Sequence, residues 1–145
     1  MYLRIKNNDI KYPYNLGTFR KEYSYISLPK VLSNDLLKEY GIFPVKETTA
    51  PDYDNLTHKL VRNTPAFNNS EWEEVWSIEE LSEDIASSNI RNKRDKLLTQ
   101  SDWTQLEDSP VNKQIWNIYR QSLRDVPARN GFPYSIKWPV KPSSN

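Results

Sequence analysis

From residue 79 to residue 100 the chain has neither glycine nor proline and is rich in good helix formers, yet it carries almost no apolar stripe. Leu81, Ile85, Ser88 and Asn92 fall at three- and four-residue steps; Arg91, Arg94 and Asp95 follow, and then Leu97 and Leu98. The pattern predicts one long helix. A helix that is polar around its middle has little to bury against its own chain, so it is expected to lie exposed, to self-associate or to be held by another protein. It also divides the chain, because the sequence before it is β-type and the sequence after it is helical. The expected fold is α+β. A small β-rich N-terminal module with one short helix, residues 1–78, precedes a long helix, a helical hairpin and an extended C-terminal tail containing Pro and Trp, residues 79–145.

In the first 30 residues, Tyr2, Leu3, Ile5, Tyr12, Tyr14, Leu16 and Phe19 come in short β-type runs broken by Asn7, Asn8, Asp9, Pro13 and Gly17. Tyr23, Tyr25, Ile26 and Leu28 predict a further extended stretch. Ser33-Asn34-Asp35 is a helix N-cap candidate ahead of Leu36, Leu37 and Tyr40, and Gly41 suits the left-handed position after the helix. Ile42, Phe43 and Val45 predict a short strand, which Pro44 places at a sheet edge. A hairpin is expected from 58–62, an Asn68-Asn69-Ser70 turn, and 72–78, with Trp72, Glu74, Trp76 and Ile78 on one face.

Beyond residue 100, Asp102 and Gln105 have capping-box spacing and predict a tight turn or short helix. Ser109 as N-cap and Pro110 at the first helical position predict a helix start. Val111, Ile115, Ile118 or Tyr119, and Leu123 then form its stripe, with Trp116 beside it. Pro127 ends that helix, Asn130-Gly131 is a turn pair, and the proline-rich remainder is expected to run extended over a surface.

Composition narrows the function. With 145 residues the chain can form one ordinary domain or two small modules with thin cores. Mean hydropathy is −0.83, which leaves apolar surface for a partner to complete. Residues 1–78 carry ten Lys/Arg and ten Asp/Glu, and 79–145 carry ten and nine, so neither part has the basic excess of a nucleic-acid binder. There is no cysteine for a disulfide or thiolate site and no long apolar run for a secretory signal or membrane span. His58, the sole histidine, lacks the partners of a metal site or a catalytic triad and reads as a strand residue. The acidic pairs Glu79-Glu80 and Glu83-Asp84 read as helix-start charges favoured by the macrodipole. Three glycines supply no phosphate loop. No enzyme, metal or cofactor is expected, and no nucleic-acid or membrane partner.

The remaining signal is the set of large amphipathic side chains in the last third. Tryptophan, tyrosine and arginine dominate binding hot spots, so the candidate protein-binding residues are Trp103, Trp116, Tyr119, Arg120, Arg124 and Trp138. Two readings stay open for them. The tryptophans either form the core of a helical hairpin wrapped by its own tail or contact a partner. The arginines, Arg91, Arg94, Arg120 and Arg124, either pair with Asp95, Asp102, Asp108 and Asp125 or reach a second protein.

Residues 91–142 resemble the phage tail assembly chaperone-like family, the tail fibre assembly proteins. The matching pieces run from Arg91, Arg94-Asp95 and Leu97-Leu98 through Ser101-Asp102-Trp103-Thr104-Gln105-Leu106, Asp108 and Pro110. They continue through Trp116, Tyr119-Arg120-Gln121, Leu123-Arg124-Asp125, Gly131-Phe132-Pro133, Ile136, Trp138-Pro139 and Pro142. Leu36-Leu37, Tyr40-Gly41-Ile42, Val45, Tyr53, Trp72 and Trp76 are weaker matches to the usual N-terminal partner of that region, with Glu71 where the pattern has Gly. The resemblance implies a phage protein that binds the C-terminal part of a tail fibre in the host cytoplasm and assists its folding and trimerisation. It implies no enzymatic activity and no cofactor. Self-association and persistence on the finished fibre tip are further expectations. The alternative is a structural component of the tail, baseplate or fibre tip.

Overall fold

The computed structural model describes residues 1–143 and mixes strands with helices. It divides into two compact units, one of Met1–Asp52 with Leu60–Ser77, the other of Tyr53–Lys59 with Ile78–Asn145.

In the first unit β1 (Tyr2–Lys6) and β2 (Asp9–Tyr14) form a hairpin whose turn residues Asn7 and Asn8 have φ of 53° and 64°. Asparagine tolerates that left-handed backbone better than most residues. The chain from Leu16 departs from the expected strand. It forms α1 (Leu16–Glu22), because the Asn15 side chain accepts from the Gly17 N–H, and Leu16, Phe19 and Tyr23 follow a helical rather than an alternating period. The expected extended stretch at 23–28 is not a strand either: it opens with a turn at 23–25. Helix α2 (Asn34–Glu39) starts as expected, with Ser33 accepting from Leu36 N–H, and Gly41 follows at φ +70°. Phe19, Tyr23 and Tyr40 pack with centroids 4.9–5.1 Å apart over Tyr14, Leu37 and Ile42, which form the core.

The sheet order is β2-β1-β3-β5-β4, where β3 is Ile42–Lys46, β4 His58–Asn68 and β5 Glu71–Glu80. Strand β3 is therefore central, not at the edge that Pro44 suggested. Val45 donates to the Met1 carbonyl, so alternation turns position 44 to the opposite side, and the parallel ladder with β5 begins just past it at Val45↔Trp72. The missing N–H of Pro44 interrupts no ladder. The β4–β5 hairpin is longer than expected, and it turns through Asn69 (φ 47°) and Ser70 (φ 67°), a pair of left-handed residues that matches strand twist.

In the second unit β5 runs on through Glu79 and Glu80, which are thus strand residues rather than a helix start. Helix α3 (Glu83–Gln100) begins after Ser82, with Glu83 and Asp84 in its first turn. It buries Ala86, Ser87 and Ile90, and Asn89 donates to the Leu56 carbonyl. It therefore has a buried face of its own, narrow and built of small residues. A 3-10 turn, Asp102–Gln105, leads towards α4 (Lys113–Arg124), and a second turn, Val126–Ala128, contains Pro127. No helix among the described residues is long and apolar enough to cross a membrane.

Candidate protein-docking site

Helix α4 starts three residues later than Ser109-Pro110 suggested. Asn112 is the cap, accepting from the N–H groups of Gln114 and Ile115 at 3.1 and 3.3 Å. Trp116, Tyr119, Arg120 and Leu123, at steps of three, one and three, are buried against Leu97, Leu98, Val111 and Trp138. Of the expected stripe, Tyr119 and Leu123 lie on this inner face and Val111 packs against it, whereas Ile115 and Ile118 lie on the outer face, 50% and 63% exposed. The choice between the two follows from size, since turning an indole and a phenol inward removes more apolar area from water than turning two isoleucines.

The six candidate residues separate into three environments. Trp116, Tyr119 and Arg120 are internal. Trp116 lies edge-on to Tyr119 at 5.8 Å and to Trp103 at 6.0 Å, and Trp103 is itself 42% exposed. Burial pushes the Tyr119 hydroxyl up from its ordinary range. Arg120 donates to the Leu98 carbonyl (2.7 Å), Ser101 Oγ (2.7 Å) and Asp102 (2.8 Å), which ties the end of α3 to α4. Arg124 is exposed. Trp138 is half-buried, with Lys93 Nζ 4.7 Å from its ring centroid, and Arg91 sits 5.2 Å from the Phe132 ring. Of the expected arginine pairs, Arg120–Asp102 and Arg94–Asp95 form.

Outside this core lies a groove of about 380 Å³ formed by the outer face of α4 and the tail. Ile115, Ile118, Trp138, Pro139, Val140 and Pro142 give it an apolar wall, and Val140 is 90% exposed. Arg129 and Lys137 complete it. The Arg129 guanidinium is held by carbonyls alone, those of Lys137 (3.0 Å) and Ser122 (2.9 Å). Sequence reasoning missed Val140, Ile115 and Ile118 as surface residues. The available signal was Trp116 and Arg120, which share a helix face with Tyr119 and Leu123.

The first unit has its own apolar groove of about 530 Å³, walled by Phe43, Pro44, Phe67 and Trp72 with Lys38 and Lys46. Phe67 and Trp72 rings are 5.2 Å apart, and Phe67 is 60% exposed. Beside it Glu74, almost wholly buried, accepts from the Tyr12 hydroxyl (2.7 Å) and faces Arg62 Nε (3.4 Å). Burial, then the bond to Glu74, push the Tyr12 hydroxyl up to about 12. Sequence reasoning also missed Arg4, buried in β1, which donates to Tyr14 and Tyr23 hydroxyls at 3.0 Å each and to Glu22.

His58 is half-buried at the start of β4, with Nδ1 2.8 Å from Thr57 Oγ1. No group of three His, Cys, Asp or Glu among the described residues is placed to hold a metal. Both grooves combine apolar walls with cationic side chains. No curated protein and no solved structure matches the chain. Residues 87–143, which hold α4, its core and the tail groove, match the model of a family described as phage tail assembly chaperone protein.

Proposed function

We propose that the chain is a tail fibre assembly chaperone, binding the C-terminal part of a phage tail fibre and assisting its folding and trimerisation. The observation that carries this reading is the match of residues 87–143 to the phage tail assembly chaperone protein family. The two apolar grooves give it a physical means. Unfinished fibre chains expose apolar surface and unpaired strand edges, which aggregate. A chaperone that covers such surface keeps each chain soluble until three combine. Trimer folding then supplies the free energy, and no nucleotide or cofactor is required. We assign the protein no reaction. It acts in the cytoplasm of the host cell during virion assembly, and it stays on the fibre tip where its affinity survives trimer formation.

The test is co-expression with a C-terminal fragment of the fibre, followed by pull-down and sizing. The fragment should become soluble and trimeric only when this chain is present. A fragment that trimerises equally well alone, with nothing co-eluting, refutes the reading. Stoichiometric presence in purified particles without any effect on fibre folding would favour a structural tail component instead.

A further inference from the structure

The apolar groove of the second unit is bordered by charge of one sign. Residues 126–143 contain Arg129, Lys137 and Lys141 and no Asp or Glu. None of the three is in an ion pair among the described residues. The same unit carries the opposite feature where β5 passes into α3. Residues 78–85 contain Glu79, Glu80, Glu83 and Asp84 and no Lys or Arg. The two apolar residues that bracket them, Ile78 and Ile85, are 42% and 52% exposed. Glu79 is paired with Lys59, but Glu80, Glu83 and Asp84 have no ion-pair partner among the described residues. Burial raises the Tyr134 hydroxyl pKa, and the charges of Glu80 and Glu83 raise it further, so both carboxylates act on one point. One surface is therefore apolar with unpaired cations, and another is apolar with unpaired anions.

We propose that the α4–tail groove of one copy receives the acidic β5–α3 corner of a second copy. Ile78 and Ile85 then enter the groove beside Ile118 and Val140, while Glu80, Glu83 and Asp84 meet Arg129, Lys137 and Lys141. A formal net charge of +1 leaves little overall repulsion to oppose the approach. The contact uses two different patches, so it is heterologous unless a two-fold axis lets both copies exchange them at once. Nothing in this inference depends on the chaperone reading.

The experiment is sedimentation velocity on the full chain over a concentration series at about 0.01 M and about 1 M salt, where the Debye length is about 30 Å and about 3 Å. Concentration-dependent association at low salt that weakens at high salt is expected. Two variants then test the pairing: K137E/K141E reverses the groove and E80K/D84K reverses the corner. Each alone should be monomeric, because its groove and corner now share a sign. An equimolar mixture should regain association, because each groove meets a complementary corner. Far-UV circular dichroism checks that both variants fold; if E80K/D84K does not, E80Q/D84N replaces it and should lose self-association alone while still associating with wild type through its intact groove. A wild-type chain that stays monomeric at low salt, or folded variants that associate as wild type does, overturns the proposal.

Discussion

Trp116 and Arg120 both tie α4 to the end of α3, and the structure says which matters more. Trp116 is 1% exposed, lies edge-on to Tyr119 and Trp103, and belongs to the buried cluster against which Leu97 and Leu98 pack. Replacing it by alanine empties an indole-sized volume that the short helices around it fill only partly, so Trp116→Ala should cost about 3–5 kcal/mol. Arg120→Met keeps the aliphatic stem and removes three donated hydrogen bonds. Little is orphaned by that change. The Leu98 carbonyl still accepts from Ser101 Oγ, and the Asp102 side chain is 63% exposed and takes water. The buried Nε of Arg120 has no partner, so removing the guanidinium also recovers part of its desolvation cost. The net loss should be about 1–2 kcal/mol. The assay is urea unfolding of the full chain followed by circular dichroism in the helical region, since tryptophan fluorescence would change with the substitution itself. An Arg120→Met loss equal to or larger than the Trp116→Ala loss would refute the argument, and would mean that the polar tie, not aromatic packing, holds α4.

Three further outcomes follow from single sites. Tyr12 should titrate near pH 12, well above ordinary tyrosines, as followed by carbon-13 NMR of the ring. Its raised folded-state pKa gives stability that is present below about pH 10 and is lost as pH rises through 12, and Tyr12→Phe should remove that alkaline loss. Ser70→Gly should stabilise the hairpin by about 1 kcal/mol in thermal unfolding, because a serine at φ 67° carries a left-handed strain that glycine lacks. Gly41→Ala should destabilise by at least ~1 kcal/mol, because φ is +70° and the new Cβ would collide with the Ile5 carbonyl oxygen.

The sequence was most legible where one local rule decided the outcome. Ser33 and Gly41 bracket α2 as read, because a side-chain cap and a left-handed glycine act within a few residues of themselves. The Asn69-Ser70 turn is of the same kind. Legibility failed where two local rules competed and packing chose between them. Ser109-Pro110 is a start signal, yet the cap is Asn112, whose side chain accepts from two N–H groups of the first turn. Pro44 signals an edge strand by its missing N–H, a signal blind to the side on which that N–H would have pointed. Arg4 was not legible as a core residue. Its burial depends on two tyrosine hydroxyls ten and nineteen residues away, which no short window relates to it.

The polar helix that first divided the chain shows how little apolar surface a scaffold element needs. Along α3 the small residues Ala86 and Ser87 with Ile90 make a narrow buried face, and the cations beyond them serve as well. Arg91 lies against Phe132 and Lys93 against Trp138, so two cation–π contacts join the tail to α3, beside the packing of Trp138 in the cluster that includes Leu97 and Leu98. Such contacts contribute about 0.5–1 kcal/mol each at exposed sites, enough to bias the tail and too little to fix it alone. The wall of the α4 groove is that same tail. Lys93→Ala should therefore loosen the groove while leaving the Trp116 core intact. Nitrogen-15 relaxation would read this as larger-amplitude motion at Lys137, Trp138, Val140 and Lys141 with α4 unchanged. Equal loosening of α4 would mean that the tail and the helix core move as one unit, and that the groove is only as labile as the fold beneath it.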